Sequence, residues 1–296
     1  MEEPLIHVVL VNYNGYEDTI ECINSLQYGS YVNYKIVIVD NGSTDHSIEK
    51  LSHLSGNVFL IKSSENLGFA GGNNLGVKYA LDHEAEFIVL LNNDTVVGKY
   101  FLIEMVSKML VNNIEILTCK IAYFSNNHLG KYWYAGGEID WRRGFVKHYT
   151  DDTLTNELNK VTFMSGCCIF AHKDIFKKHL LPEYYFMYFE DMDYCLTLAK
   201  AGYRLYYTPD IEIKHKVSAS VGIESEFFVK YWNRNRLIIL KKYRRDLGYR
   251  YYLLLARFYI TRFIKGNLYL IFGKKGSYHS MLQGISEGRR YKVYGE

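Results

Sequence analysis

The sequence predicts an α/β fold, in which a mostly parallel sheet is covered by helices on both faces. Short apolar runs alternate with segments whose apolar residues recur at helical spacing, and this alternation is typical of parallel sheets. A polar cluster follows each of the first four predicted strands, and ligands of parallel sheets gather at the carboxyl ends of the strands. The clusters are Asn12–Asn14, Asp40–Ser43, Asn66–Asn74 and Asn92–Asp94.

The first third of the chain has the clearest alternation. The pattern predicts strands at Leu5–Asn12, Tyr34–Val39, Val58–Lys62 and Phe87–Leu91. It predicts helices at Tyr16–Gln27 and Asn73–Asp82, and a third helix that Ser43, Thr44 and Asp45 can cap and that runs to about Leu54.

The rest of the chain is less regular. Lys131–His148 is rich in Gly, Trp and Tyr and predicts a hairpin or a flexible loop. Gly166 interrupts an apolar strand predicted at Val161–Ala171. The remaining predictions are a helix at Asp191–Gly202, short strands at Arg204–Thr208 and Ile211–His215, and helices from about Phe227 onward. We therefore expect an α/β domain at residues 1–226 and a helical, basic extension at residues 227–296.

The net charge of +3 hides an uneven distribution. Residues from Lys230 to the end contain 16 Lys and Arg and 3 Asp and Glu, a net charge of +13. The preceding residues contain 19 basic and 29 acidic side chains, a net charge of −10. Such asymmetry indicates that the carboxyl-terminal part meets an anionic surface. We expect no nucleic-acid partner.

Cysteine content and hydropathy bear on the compartment. The five cysteines are scattered, odd in number and form no CxxC pair, which argues against a zinc site and a disulfide framework. The residues Met1–Pro4 lack the basic start and apolar stretch of a signal peptide. No uninterrupted run of about 18 apolar residues predicts a transmembrane helix. We expect a cytoplasmic protein with reduced thiols.

The first three polar clusters have side chains that suit a nucleotide. A carboxylate at a strand end, here Asp40, can accept the imide hydrogen of uracil or thymine, and Tyr13 can stack on the base. The same residues are ordinary in turns and caps, and that alternative stays open. The glycines of Asn66–Asn74 would let backbone amides approach a diphosphate ahead of a helix. A plain glycine-rich turn explains them equally well.

Two acidic clusters and one histidine complete the candidates. Asn92–Asp94 is an oxygen-rich triplet that can hold a hard divalent ion beside a diphosphate, or simply a polar loop. In Phe189–Asp193, acidic residues suit the positive end of a helix dipole. One carboxylate there can also deprotonate a hydroxyl group. His215 alone is more often structural than a metal ligand.

These elements, in this order, resemble the family-2 glycosyltransferases of the GT-A fold, which is built on a Rossmann-like sheet. The similarity is closest to the rhamnosyltransferase-like branch that acts on bacterial cell-surface polysaccharide. It covers about Leu5 to Lys242, and six motifs in order over this length are highly specific. The first motif combines the segments after the first two strands, Val11–Asn14 and Val39–Asp45. The other five motifs are Asn66–Asn74, Leu91–Thr95, Phe189–Asp193, His215 and Tyr231–Arg236.

The resemblance implies a role for each motif. It implies an inverting, metal-dependent transfer in which Asp191 is the catalytic base, Glu190 positions the acceptor and Asp193 is structural. Mg²⁺ or Mn²⁺ would be held by Asp94 and His215. The implied nucleotide-sugar-binding residues are Tyr13, Asp40, Asn66, Gly71, Asn74, Asn93 and Asp94.

The donor is less constrained than the reaction. The branch favours dTDP-rhamnose, but uracil and thymine share the same imide edge. UDP-galactofuranose, UDP-hexoses and UDP-N-acetylhexosamines therefore stay open. Two departures from the family pattern matter. Asn92 stands where many relatives have aspartate, which leaves metal binding to Asp94. The Q/RxxRW signature of processive synthases is absent, which argues against a polymerising enzyme.

Two alternative functions can be weighed. A nicotinamide dehydrogenase needs GxGxxG after its first strand, and this sequence has Asn-Tyr-Asn-Gly there, which excludes it. A non-catalytic carbohydrate- or nucleotide-binding module is the alternative from another class. The presence of both Asp94 and Asp191 disfavours it.

The basic extension has three interpretations. On a helix over Arg250–Phe272, four cations fall within an arc of roughly 140°, namely Arg250, Arg257, Arg262 and Lys265. Apolar residues lie outside the arc, namely Leu253, Ile260, Phe263, Leu270 and Ile271. This pattern predicts a peripheral protein on the inner face of an anionic cell membrane, beside a lipid-linked glycan acceptor. The alternatives are that these helices pack on the α/β domain, with the basic residues facing its acidic surface, or that they form a homodimer that buries Phe258 and Phe263.

Overall fold

A ten-stranded β-sheet with helices packed beside it forms the centre of the fold, and the predicted α/β class is confirmed. The computed structural model describes residues 3–125, 130–217 and 225–293. Residues 1–2, where no signal peptide is expected, and residues 294–296 of the basic extension lie outside the described residues.

Six strands of this sheet share one direction. They are β1 (Ile6–Asn12), β2 (Tyr34–Asp40), β3 (Val58–Lys62), β4 (Phe87–Asn92), β6 (Ile116–Tyr123) and β12 (Leu205–His215). β1 is parallel to β2 and β4, and β2 is parallel to β3. β6 and β12 are parallel to each other, and they run with the others because β11 (Cys168–His172) is antiparallel to both β4 and β6. The sheet is therefore mostly parallel.

The remaining strands are short. They are β5 (Thr95–Val97), β7 (Tyr132–Tyr134), β8 (Gly137–Asp140), β9 (Phe145–His148) and β10 (Asn159–Val161). β8 and β9 form a separate two-stranded sheet, so the segment predicted as a hairpin or loop contains a hairpin. The strand predicted at Val161–Ala171 is divided between β10 and β11. The two strands predicted at Arg204–Thr208 and Ile211–His215 form the single strand β12. Its pairing with β6 shifts in register between Thr208 and Glu212.

The helices of the α/β part flank these strands. They are α1 (Tyr16–Gln27), α2 (Ser47–Leu51), α3 (Gly68–Asp82), α4 (Phe101–Asn112), α5 (Lys173–Lys178) and α6 (Glu190–Lys200). Of the three residues predicted to cap this helix, Ser43, Thr44 and Asp45, Asp45 accepts from its first N–H, and α2 ends at Leu51 rather than at about Leu54. The hydroxyl and the backbone N–H of Ser43 both donate to Asp40, and Asp45 instead accepts from the N–H of Ser47 at 2.9 Å.

Helix α3 begins five residues earlier than predicted, and its glycines explain why. The backbone N–H of Gly68 donates to Asn66, and the helix continues through Gly71 and Gly72. A Cβ atom at Gly76 would lie 2.4 Å from Cγ1 of Val9, and one at Gly72 would lie 2.8 Å from Val11. The glycines therefore let α3 pack closely on β1. The prediction that this segment is a loop was wrong.

The chain divides into two compact units. The first contains the sheet, with residues up to Glu138, Lys147–Phe186 and Glu190–Val217. The second contains Ile139–Val146, Met187–Phe189 and the described residues from 225 onward. Its helices are α7 (Glu226–Lys242), α8 (Arg244–Leu247), α9 (Tyr249–Ile271) and α10 (Lys275–Arg290).

Glycines also set the packing within the second unit. A Cβ atom at Gly284 would lie 2.2 Å from the carbonyl oxygen of Lys230, and one at Gly288 would lie 2.6 Å from that of Arg234. α10 therefore packs on α7 at a distance that a larger side chain would prevent. None of the helices in the described ranges combines the length and apolar character that crossing a bilayer requires.

Candidate active site

The carboxyl ends of β1, β2 and β4 meet at one edge of the sheet, as predicted. Asn12 lies opposite Asp40 in the register of β1 and β2, and Val11 lies opposite Asn92 in that of β1 and β4. Asn12 and Asp40 are fully buried. Nδ2 of Asn12 donates to Oδ2 of Asp40 at 2.8 Å and to Oγ of Ser43 at 3.1 Å. The two strand ends are therefore fixed to each other by buried hydrogen bonds.

Asp40 uses its carboxylate within the protein. Its Oδ1 accepts from the N–H of Ser43 at 3.0 Å, and its Oδ2 accepts from the hydroxyl of Ser43 at 2.8 Å in addition to Asn12. Asp40 therefore holds the turn after β2. Tyr13, in contrast, is 47% exposed at the same edge.

Asn14 joins the loops after β1 and β2. It adopts a left-handed backbone conformation with a φ of 53°, which asparagine tolerates better than most residues. Its Oδ1 accepts from the N–H of Thr44 at 2.8 Å, and its own N–H donates to Oγ of Ser43 at 3.0 Å. The exposed loop beside Tyr13 is thus held in one arrangement.

A hydrogen-bond relay extends this network to β4. Nδ2 of Asn93 donates to Oγ1 of Thr19 at 2.8 Å, and Thr19 donates to Oδ1 of Asn12 at 2.9 Å. Thr19 is fully buried in the first turns of α1. Sequence analysis missed it, because a threonine within a helix carries no signal of its own.

Asp94 and His215 come together at the end of β4, as the resemblance implied. Oδ1 of Asp94 lies 3.0 Å from Nε2 of His215, and their side chains are 13% and 7% exposed. β12 brings His215 there because it pairs with β5, with His215 opposite Thr95. The ring of Trp133 packs edge-on against the imidazole at 4.7 Å. Two residues far apart in sequence thus lie side by side, and both are of types that can bind a metal.

The pair fits a hard divalent ion that takes few ligands from the protein. Among the residues that the structure describes, no group of three or more His, Cys, Asp or Glu side chains is arranged to hold a metal. Nδ1 of His215 is buried and has no hydrogen-bond partner. An imidazole with its Nε2 beside a carboxylate suits Mg²⁺ or Mn²⁺ whose other ligands are phosphate and water oxygens. Asp94 and His215 would be the protein ligands.

The three carboxyl groups at the start of α6, those of Glu190, Asp191 and Asp193, have different environments. Oδ2 of Asp191 accepts from the N–H of Gly166 at 3.4 Å, and burial raises the pKa of Asp191 to about 6. Glu190 is buried, its Oε2 has no hydrogen-bond partner, and burial and then Asp191 raise its pKa well above the ordinary value. Asp193 is fully buried and accepts from the hydroxyl of Tyr184. The raised pKa of Asp191 still lies below neutral pH, and this carboxylate lies against the loop at Gly166.

Gly166 links the separate motifs and was missed as a site residue. A Cβ atom there would lie 2.8 Å from the ring of Phe69 and 3.7 Å from Cβ of Asp191. The next residue, Cys167, accepts from the N–H of Asn92 at 2.9 Å. The loop of residues 166–167 thus touches the glycine-rich segment, the base candidate and the end of β4.

The glycine-rich segment also contacts the chain ahead of the acidic helix. Gly68 has a φ of 73°, and a Cβ atom there would lie 2.2 Å from the carbonyl oxygen of Phe186. The N–H of Phe69 donates to that same oxygen at 2.7 Å, and Phe186 itself has a φ of 66°. Only glycine fits at position 68. The close approach of these two segments is therefore a packing constraint at the edge of the candidate site.

Two of the residues expected to bind the donor have other surroundings. Gly71 lies inside α3, where a Cβ atom would be 2.7 Å from that of Leu67. Asn74 is buried, and its amide donates to the carbonyl of Leu181 at 2.8 Å and to Glu183 at 2.9 Å. Asn66 remains near the strand ends, where its Oδ1 accepts from Asn41 and Gly68.

Comparison with known proteins places this geometry in a family. The family model of glycosyl transferase family 2 matches residues 7–180. The low-salt glycan biosynthesis hexosyltransferase Agl10 of Haloferax volcanii is 24% identical over 64% of this chain and 60% of its own length. The dTDP-rhamnosyl transferase RfbF of Shigella flexneri is 24% identical over 80% of each chain. This chain thus spans less than two thirds of the Haloferax relative.

A solved structure has the same fold. GalNAc-T7, crystallised with UDP, GalNAc and Mn²⁺, superposes with a TM-score of 0.63 at 15% identity, covering 79% of this chain and 48% of its own. The family match covers more than half of the 296 residues and includes the ends of β1, β2 and β4. The chain therefore belongs to glycosyl transferase family 2.

Proposed function

We propose that this protein is a metal-dependent, inverting glycosyltransferase that moves a sugar from a pyrimidine nucleoside diphosphate to a hydroxyl group of an acceptor. The observation that carries this proposal is the pairing of Asp94 with His215 at the end of β4, joined through residues 166–167 to Asp191. One region then offers a metal-ligand pair and a base with a pKa of about 6. Family membership supports the reaction class.

The donor nucleotide binds at the edge formed by β1, β2 and β4. Tyr13 is exposed there and stacks on the base. Asp40 reads the imide edge of the base, and because its oxygens already accept from Asn12 and Ser43, binding requires the Ser43 turn to shift. Asn66, Asn93 and Asp94 face the ribose and diphosphate. Gly71 and Asn74 support α3 rather than touch the donor.

The metal site has two protein ligands, Asp94 and His215. Bound Mg²⁺ or Mn²⁺ would neutralise charge that develops on the leaving diphosphate. Asn92 supports the pair, since its Nδ2 lies 3.5 Å from Nε2 of His215. The GalNAc-T7 structure, which contains Mn²⁺, supports this assignment through the shared fold.

Asp191 acts as the general base. Its carboxylate takes the proton from the acceptor hydroxyl as that oxygen attacks the anomeric carbon, and inversion follows from a single displacement. The N–H of Gly166 holds one oxygen of the carboxylate in place. Glu190, with its raised pKa, stays protonated and donates to an acceptor oxygen, which positions the hydroxyl.

A donor screen tests the proposal directly. We favour dTDP-rhamnose, supported by the name of the Shigella relative, and UDP-hexoses, UDP-galactofuranose and UDP-N-acetylhexosamines are the alternatives. Thermal shift with each sugar nucleotide, with and without Mn²⁺, should show stabilisation by a pyrimidine donor that depends on the metal. Binding of a purine sugar nucleotide with none of a pyrimidine one would contradict the role of Asp40.

The acceptor is a lipid-linked glycan, and α9 holds the enzyme on the membrane. Phe263 and Ile271 are each 74% exposed. At about 100° per residue, the exposed aliphatic and phenylalanine side chains of α9 fall within an arc of roughly 160°, namely Leu253, Ile260, Phe263, Ile264, Leu268, Leu270 and Ile271. An apolar face of this kind with basic residues beside it is typical of helices that lie in a bilayer interface.

The burial of Phe258 on α9 argues against a dimer that buries both Phe258 and Phe263. Phe258 is fully buried, and the nearby Leu254 is also buried, so Phe258 has no surface to offer a second copy. Phe263 remains available to either partner. Flotation with anionic and neutral vesicles at low and high salt separates the two interpretations, because the attraction of basic residues to an anionic leaflet weakens with salt. A stable dimer that does not float would favour the oligomer.

A further inference from the structure

Two arginines of the second unit lie against one aromatic ring, and a third precedes that ring in the sequence. The guanidinium carbons of Arg236 on α7 and Arg262 on α9 lie 5.9 Å and 5.8 Å from the centre of the Phe258 ring. Arg236 also lies 5.4 Å from the ring of Phe145. The third arginine, Arg257, is on α9 one residue before Phe258. We call these three residues the arginine cluster.

The arginine cluster donates its hydrogen bonds to neutral acceptors. Arg236 donates to the carbonyl oxygen of Arg143, Arg257 to that of Arg142 at 3.1 Å, and Arg262 to Oδ1 of Asn233 at 3.1 Å. Within the described ranges, no Asp or Glu forms an ion pair with any of the three. Nε of Arg236 and Nε of Arg262 are buried and have no acceptor among the described residues.

The lack of a carboxylate is local to this cluster. On the same helix, Lys230 lies 3.0 Å and Arg234 lies 3.7 Å from the carboxylate of Glu287. Arg236 is only 8% exposed, and burial, followed by repulsion from Arg262 and Arg257, lowers its pKa to about 10. Buried cations without a counter-charge are costly, and protein interiors normally pair them. The chain therefore bears an electrostatic cost here that an anion would offset.

We propose that the arginine cluster binds a phosphate-type anion, and that its ligand is the phosphate or diphosphate ester of a lipid. Guanidinium groups bind phosphate oxygens through two parallel N–H donors and keep their charge at every physiological pH. The apolar exposed face of α9 begins beside Arg257, so the same helix offers contact for the lipid chain. That this ester is the diphosphate of the sugar acceptor rests on the proposed transferase function.

The test measures binding without turnover, on the full chain. Titration calorimetry would use geranyl diphosphate, inorganic diphosphate, inorganic phosphate, and phosphatidylcholine vesicles with and without phosphatidylglycerol. The variants are Arg257→Gln and Arg262→Gln, with Arg245→Gln on α8 as the matched control because Arg245 is exposed and outside the cluster. We expect geranyl diphosphate to bind wild type and Arg245→Gln equally, and to bind each cluster variant at least tenfold more weakly.

The probes identify the source of the anion. Weaker binding of both geranyl and inorganic diphosphate would assign the site to the diphosphate group, and weaker binding of phosphatidylglycerol vesicles alone would assign it to a phospholipid headgroup. Equal loss in all three variants, or no binding of any probe to wild type, would overturn the proposal. Arg257 is exposed, so Arg257→Gln stays informative if the buried variant fails to fold. Titration with UDP and dTDP in parallel tests the donor site separately, so the two proposals fail independently.

Discussion

The sheet edge and helix α9 break the usual burial pattern in opposite ways. At the sheet edge, polar and charged side chains are buried, with Asp40 at 0% and His215 at 5% exposure. On α9, large apolar side chains are exposed. Folded proteins normally do neither without a reason, so buried polar groups and exposed apolar patches are the informative positions. The comparison supports the proposed chemistry in the first region and the proposed partner in the second.

The two regions also treat charge differently. At the sheet edge, Asp40, Asn12 and Thr19 satisfy one another in a connected network, which fixes the strand ends before any ligand arrives. In the second unit, Arg236 and Arg262 keep unmatched buried donors. A network whose hydrogen bonds are all made holds its side chains in place. A buried cation without a counter-charge instead favours the binding of an anion. The predictions below test this division, from the largest expected effect to the smallest.

Replacement of Asp94 should have the largest effect. Asp94→Asn removes the anionic ligand while keeping its size, and we expect activity to fall by about 10³-fold, since a metal Lewis acid contributes several kcal/mol to the transition state. Steady-state turnover with added Mn²⁺ or Mg²⁺ measures this loss. Asp82→Asn, an exposed carboxylate at the end of α3, is the matched control. Full activity of Asp94→Asn, or of wild type in excess chelator, would contradict the assignment.

Replacement of Asp191 should have the next largest effect. Asp191→Asn should lower kcat by about 10²- to 10⁴-fold, the usual contribution of a general base. In wild type, kcat/KM should fall tenfold per pH unit below about 6, because the base must be ionised to accept a proton. The pH–rate profile of the wild-type enzyme is the measurement. A profile without a break near pH 6 would assign base catalysis to another group.

The same residue should affect stability with the opposite sign. Burial raises the pKa of Asp191 from 3.8 to about 6, so the folded state favours the protonated acid. Its contribution to stability is present below pH about 4 and is lost as the pH rises through 6. Asp191→Asn should therefore raise the free energy of unfolding more at pH 8 than at pH 4. Urea unfolding at the two pH values measures the difference, and a larger gain at pH 4 would refute the assigned environment.

The sequence predicted the strand ends well, because period and turn residues are local signals. α1 and β3 begin and end where predicted, and Asp94 and His215 meet as the family pattern implied. The elements α4, β5, β6 and α5 were not predicted. Phe101, Met105 and Met109 have a clear helical spacing that could have revealed the first of them.

Other errors arose where tertiary packing decides. Nothing local shows that the glycines after Asn66 begin a helix, because their reason is the close approach of α3 to Val9 and Val11 on β1. Thr19 and Gly166 were invisible for the same reason, since each acts through a partner distant in sequence. The basic arc predicted on α9 contains Leu254 and Phe258, which are buried, so burial rather than charge sets the inward face of this helix.

Removal of the exposed apolar face should weaken membrane binding by a moderate amount. Phe263→Ser should lower the partition onto anionic vesicles by roughly tenfold, since burial of a large apolar side chain contributes about 1.5–3 kcal/mol. The measurement is vesicle co-sedimentation at fixed salt. Val111→Ser on α4, which removes an equally exposed apolar side chain, should leave binding unchanged. Equal binding of both variants would remove α9 from the interface.

The smallest effect should come from a polar contact that supports the site without acting in it. The hydroxyl of Tyr184 donates to the buried carboxylate of Asp193. Tyr184→Phe removes this donor, and we expect the free energy of unfolding to fall by about 1–3 kcal/mol, the range for the loss of a buried hydrogen bond. Turnover should stay within twofold of wild type, because Asp193 serves the helix start and not the reaction. Tyr249→Phe, at an exposed tyrosine of α9, should change neither quantity. A large loss of turnover in Tyr184→Phe with unchanged stability would instead place Asp193 among the groups that act on the acceptor. The carboxylates at the start of α6 would then have different roles, with Asp193 taking part in the reaction rather than in the structure.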